Sequence, residues 1–252
     1  QGALSLMSEP YFTAPFRPLL PNIRHIEFND LTELQQITER SACVIVETVR
    51  AEIGVQRPAD GYLQALRQRC SEVGALLILD EIQVGCGRTG SLWAFSQYGI
   101  APDILLLAKG FGGGMPIGAF VAPRQIMQAL SHSPVLGHIS TFGGHPVCCA
   151  AALATLRHLH ENPEIIASVH AKEQLFRSLL AHEAIAEVRS SGLLMGVQVR
   201  DFDFVLAVIR ECLQMGLITD WFLFNSSAIR IAPPLTISEE EIHRACEILL
   251  TA

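Results

Sequence analysis

At 252 residues the chain can bury one large core or two modest ones. Half of it is hydrophobic, its mean hydropathy is +0.33 and only 17% is charged, which excludes a disordered chain and predicts surface covered by another subunit. A net charge of −7 with no run of Lys or Arg excludes a phosphate backbone as a partner, so no nucleic acid is expected.

The chain opens on Gln1-Gly2-Ala3-Leu4, which reads as the middle of a longer polypeptide. Three apolar runs follow, Cys43–Glu47, Ala75–Asp80 and Asp103–Leu107. None alternates, as expected of strands buried on both faces in a parallel sheet covered by helices. Between the first two, Leu63, Leu66, Cys70 and Val73 recur at helical spacing and complete a strand-helix-strand unit. A fourth strand is predicted at Ile117–Val121, after the glycines at 112 to 114. A helix is predicted from Pro146 to about Leu159, with proline in its first turn.

Beyond Asn162-Pro163 the organisation changes. One long amphipathic helix through Ile166, Val169, Phe176 and Leu180 is predicted, then a strand at Leu194–Val199 and a helix ending at Gly216. Strands at 217–221 and 229–232 precede a last helix with the capping box Ser238-x-x-Glu241. The fold class is therefore α/β: residues 1–160 form part of a large, mainly parallel-sheet domain and 161–252 a smaller C-terminal α/β domain. The longest apolar runs are strand-length, far below the roughly 20 residues that cross a bilayer, so no membrane partner is expected. The seven cysteines (43, 70, 86, 148, 149, 212 and 246) show no C-x-x-C pair and read as reduced core thiols of a cytoplasmic protein.

Chemistry concentrates where two buried strands end. Asp80 closes one and Lys109 follows the next, so a carboxylate and an amine face one crevice at the sheet edge where open parallel sheets bind ligands. Glycines on either side allow close approach. A desolvated amine suits Schiff-base chemistry, and a carboxylate beside it suits a protonated heterocyclic nitrogen; together they suit pyridoxal phosphate. The competing reading is a purely structural Asp–Lys ion pair.

The wider pattern is Leu79-Asp-Glu-Ile-Gln-Val-Gly-Cys-Gly-Arg-Thr-Gly90, followed by Asp103-Ile-Leu-Leu-Leu-Ala-Lys109-Gly and Gly112-Gly-Gly114. It resembles the signature of class III aminotransferases, a fold-type-I family dependent on pyridoxal phosphate. The resemblance implies that Lys109 carries the cofactor, that Asp80 contacts its pyridine nitrogen and that Gln83 contacts its ring hydroxyl oxygen. Ser140-Thr-Phe-Gly-Gly144 resembles the family's T-F-G-G segment, which would place Thr141 on the cofactor phosphate of a neighbouring subunit in a homodimer. A hydroxyl and glycine amides ahead of a helix at Pro146 can bind an anion, although an ordinary glycine turn reads the same way. Ile229-Arg-Ile-Ala-Pro-Pro-Leu235 resembles the element whose arginine holds a substrate α-carboxylate, which would be Arg230. Val46-Glu47 to Gly54 resembles a segment that would put Glu47 near the ring and make Glu52 the acidic partner of Arg230 when no carboxylate is bound.

Thr48, Arg50 and Ala51 depart from that segment's proline, glutamine and glycine, and His145 from a common asparagine. By the resemblance, a phosphate loop and a ring-stacking aromatic would lie before Gln1, and the chain would be the C-terminal half of the large domain plus the small domain. The expected reaction moves an α- or ω-amino group of an amino acid of acetylornithine or ornithine type to a 2-oxo acid such as 2-oxoglutarate. An aminomutase, an ω-amino-acid transaminase or a cofactor-free module for dimerisation are the alternatives. Gly85-Cys-Gly-Arg-Thr-Gly90 also matches a dinucleotide fingerprint, but it begins five positions after Asp80 and no long helix follows. His138 and His145 lack a third ligand, so no metal is expected.

Overall fold

Two four-stranded sheets organise the chain. In a computed structural model describing Gln1–Ala252, the first comprises β1 (Cys43–Glu47), β2 (Leu76–Asp80), β3 (Ile104–Leu107) and β4 (Ala119–Val121), in that spatial order. The first three run parallel and β4 returns antiparallel to β3. The helix α1 (Tyr62–Val73) crosses from β1 to β2, burying Leu63, Leu66 and Cys70 against Leu77 and Leu79. Gly74 ends it at φ +74°, a conformation that costs glycine nothing.

The expectation of helices on both faces needs correction. Residues 44, 46, 77 and 79 point toward α1, whereas Ile45 on β1 and Phe120 on β4 each remain 38% exposed. Uninterrupted apolar strands predict two buried faces, but this chain supplies a helical layer for only one.

Pro146 opens α2 (Pro146–Glu161) as predicted. The single long helix expected next is two, α3 (Pro163–Ala167) and α4 (Val169–Leu179). They meet at Ser168, whose hydroxyl donates back to the Ile165 carbonyl at 2.9 Å, a local bond that competes with the helical ladder.

The second sheet contains β5 (Glu187–Ser191), β6 (Leu194–Gln198), β7 (Asp220–Phe222) and β8 (Asn225–Ile231) in the order β5-β6-β8-β7, antiparallel throughout. The strand expected at 217–221 begins only at Asp220, and the one expected at 229–232 begins at Asn225. β5, Glu-Val-Arg-Ser-Ser, has no apolar run and so gave no strand signal. On one face lie α4, α5 (Phe202–Gln214) and α6 (Glu239–Thr251), closing a core around Phe176, Met195, Val205, Cys212 and Ile242. Full burial of a side chain such as Phe176 contributes roughly 2–3 kcal/mol. The capping box forms: Glu241 N–H donates to Ser238 Oγ, and Ser238 N–H to Glu241 Oε2.

A smaller cluster joins the two sheets, with Val49, Ala51, Val55, Val84 and Ala94 packed against Leu194, Phe222 and Ala228. Arg88 crosses this seam, donating to the carbonyls of Leu193 (3.0 Å) and Pro233 (2.5 Å). The backbones touch there: a Cβ on Gly192, at φ +62°, would lie 2.4 Å from the Arg88 carbonyl oxygen. The Gly85–Gly90 segment thus serves the close packing of the two sheets. No helix is long and apolar enough to cross a membrane.

Candidate active site

Strand register brings the first carboxylates together. Glu47 and Asp80 are direct partners at the C-terminal ends of the parallel strands β1 and β2. β3 ends beside them and runs through Ala108 into Lys109, the first residue of a 3-10 turn. Lys109 sits at φ +47°, a left-handed conformation costing a non-glycine residue roughly 1–2 kcal/mol, which persists only where the surroundings impose it.

The charges around Lys109 come from both sheets. Desolvation pushes its amine below the ordinary lysine range, helped by Arg230 and opposed by Glu52, Asp80 and Glu47. Burial raises the Asp80 carboxyl, against the Ile82 N–H, which donates to Oδ1 at 2.8 Å, and against Lys109. That single bond leaves Oδ2 available to a cationic N–H. Glu47 is pushed up to about 7, chiefly by burial and then by Asp80, despite an N–H from Ala51 at 3.1 Å.

A second group surrounds Arg230. Glu52 Oε1 accepts from Arg230 Nη1 at 2.8 Å and from Gln83 Nε2 at 2.6 Å, while Oε2 accepts from Leu223 N–H at 2.9 Å. Burial works to raise the Glu52 carboxyl, but the bonds from Leu223, Gln83 and Arg230 together hold it below its ordinary value. On the other side of the guanidinium, Asp220 takes Nε and Nη2 in a bidentate pair, both at 2.7 Å. The Phe222 ring centroid lies 5.3 Å from Arg230 Cζ.

Six of the seven residues picked from sequence therefore fall into one connected region: Lys109, Asp80 and Glu47, then Glu52, Gln83 and Arg230. Thr141 stands apart, in a stretch exposed from Ser131 to Val147, and makes no hydrogen bond to the other six. Two of the cysteines read as core thiols, Cys43 and Cys149, are in fact exposed; Cys70, Cys148, Cys212 and Cys246 are buried.

Nothing in the sequence pattern points to Asp220. It is the cross-strand partner of Arg230 between β7 and β8, and such a pair is invisible until the register is known. Glu81, 1% exposed, lies within the motif around Asp80, where its neighbours in sequence give it no role of its own.

Residues 2–252 match the family model described as aminotransferase class-III. A putrescine aminotransferase from Pectobacterium atrosepticum is 42% identical over 256 residues, covering 96% of this chain and 54% of that protein. An ornithine aminotransferase from Toxoplasma gondii, with partial occupancy of PLP at its active site, superposes with a TM-score of 0.90 at 31% identity, over 99% of this chain and 59% of the other. An N-acetylornithine aminotransferase from Stenotrophomonas maltophilia K279a gives 0.78 at 33%, over 90% and 61%. The chain thus spans a little over half the length of such relatives. With an α/β fold of fold type I and a family match over nearly its whole length, the chain belongs to the class III aminotransferases.

Proposed function

We propose that this chain carries the catalytic lysine of a pyridoxal-phosphate-dependent aminotransferase, moving the amino group of a primary amine to a 2-oxo acid. The supporting observation is the setting of Lys109: a partly desolvated amine in a left-handed turn, beside Asp80 and Glu47 at the ends of parallel strands. The residues present fit the cofactor. Lys109 supplies an amine whose lowered proton affinity suits attack on an aldehyde, and Asp80 Oδ2 can hold a protonated ring nitrogen. The amide nitrogen of Gln83 has one hydrogen on Glu52 and a second for the ring hydroxyl oxygen.

Pyridoxal phosphate, when bound, makes the donor's carbon–hydrogen bond labile by withdrawing its electrons into the ring. Lys109 Nζ, as a free amine, would be the base that takes up and returns that proton. Asp80 would hold a protonated ring nitrogen through Oδ2. Arg230 and Glu52 receive the far end of the substrate, and Thr141 reaches the cofactor phosphate of a second copy in a homodimer.

This chain holds two lysines, 109 and 172, on separate peptides that a peptide map distinguishes. The full-length protein with pyridoxal phosphate should develop a visible absorption band, and borohydride should fix the label on the peptide bearing Lys109. Lys109→Ala should lose band and label while Lys172→Arg keeps both. A label on any other lysine would refute the assignment of Lys109, and the absence of both band and label would favour a cofactor-free module.

A further inference from the structure

The Asp80 carboxylate takes one hydrogen bond, from the Ile82 N–H to Oδ1, so the direction of Oδ2 depends on the backbone from Asp80 to Ile82. Glu81 lies between the two and is anchored through both backbone and side chain. Its N–H donates to the Leu106 carbonyl at 3.0 Å, on the strand that runs into Lys109, and its carbonyl accepts the Gly85 N–H at 2.9 Å. Its buried carboxylate accepts the N–H groups of Ala94 and Phe95 and the hydroxyl of Thr48. Thr48 brings in β1. It follows Glu47 as Glu81 follows Asp80, so the Glu47–Asp80 register continues by one position, on the opposite face of the sheet from the two acids. The Thr48 N–H also reaches the Asp80 carbonyl, at 3.4 Å. Proline, the residue of the family pattern here, has neither an N–H nor a hydroxyl to offer.

Resting on the aminotransferase reading above, we infer that Thr48 is a positioning residue for the cofactor: by fixing Glu81 behind the strand ends, its hydroxyl holds Asp80 Oδ2 in the orientation that receives a protonated ring nitrogen. Glu81 is pinned between two neighbours of β2, to β3 through its backbone and to β1 through Thr48. The Ala94 and Phe95 bonds tie it only to the segment that follows its own strand. Without the Thr48 hydroxyl the carboxylate keeps those two donors and loses the one that crosses to β1. Burial already pushes the Glu81 carboxyl up, and the Thr48 hydroxyl is one of the three donors that oppose it. A charged hydrogen bond is directional, so a small shift of Asp80 weakens its hold on an N–H. Thr48 itself touches neither cofactor nor substrate.

The test uses the full-length protein freed of cofactor and two aldehydes that carry the same phosphate: pyridoxal phosphate and its analogue with carbon in place of the ring nitrogen. Affinity for each is read from the absorption band that develops as it is added. The parent should bind pyridoxal phosphate about tenfold or more tightly than the analogue, because only the former offers Asp80 a charged N–H. Thr48→Val, close to threonine in shape but without the donor, should weaken pyridoxal phosphate by about fivefold or more and leave the analogue unchanged. Thr48→Ser should restore the preference. A merely structural support would weaken both aldehydes alike, and that outcome overturns the inference. An unchanged preference in Thr48→Val also overturns it. So does a parent that binds the two equally, a result that needs no variant to fold. A parent with no band for either aldehyde fails the underlying aminotransferase reading instead, and with it this one.

Discussion

Thr48 donates its hydroxyl to Glu81 Oε1 across 2.9 Å, with neither residue more than 1% exposed. Each follows directly on a crevice acid, Glu47 and Asp80. Glu81 also accepts the backbone N–H groups of Ala94 (2.7 Å) and Phe95 (2.6 Å), so one buried carboxylate ties both strand ends to the turn that follows. Thr48 stands where the family pattern has proline, and the hydroxyl gives that departure a structural use.

Removing either partner leaves buried groups unpaired. Thr48→Val should cost about 1–2 kcal/mol, and Glu81→Ala about 3–5 kcal/mol because two N–H donors and a hydroxyl lose their acceptor. Urea unfolding curves measure both; equal midpoints for parent and Glu81→Ala would contradict the network.

Glu47 predicts a pH dependence of stability. Its folded-state value of about 7 lies above the ordinary 4.5, so the folded state holds this proton more tightly than the unfolded chain does. The resulting stabilisation is complete below about pH 4.5 and is lost as pH rises through about 7, a change of roughly 3 kcal/mol. Glu47→Gln should remove that slope. Parallel stability–pH curves for parent and variant would show that the carboxyl titrates normally.

At the seam, Gly192→Ala should destabilise by roughly 2–4 kcal/mol, since the added Cβ meets backbone at 2.4 Å and φ is +62°. Arg88→Ala should cost about 3 kcal/mol by stranding the Leu193 and Pro233 carbonyls. Thermal unfolding of each variant, compared with the parent, gives the answer; a neutral Gly192→Ala would mean that the seam opens readily.

Lys109 should lose its proton below the ordinary lysine value of about 10.4, because desolvation outweighs the acids around it. Trace acetylation across a pH series, without cofactor, measures this at the single peptide. Glu52 opposes the shift, so Glu52→Gln should lower the midpoint further. A midpoint at or above the ordinary value would remove the physical basis for Lys109 as the reactive amine.

Local pattern alone placed β1, β2, β3, α1 and α2 within a residue or two, and put Asp80 and Lys109 at neighbouring strand ends, because apolar runs, helical spacing and proline position act over a few residues. The break at Ser168 and the strand β5 escaped it, one decided by a single hydroxyl bond and the other by an edge with no apolar signature. What the sequence by itself determined was the family and the acid–amine pair. Tertiary structure decided what surrounds them: Asp220 across from Arg230, Glu52 reaching Arg230 from 178 positions away and Thr48 on Glu81. These pairs depend on register and on two sheets closing over a shared core, and the charge arrangement of the crevice exists only once that closure has occurred.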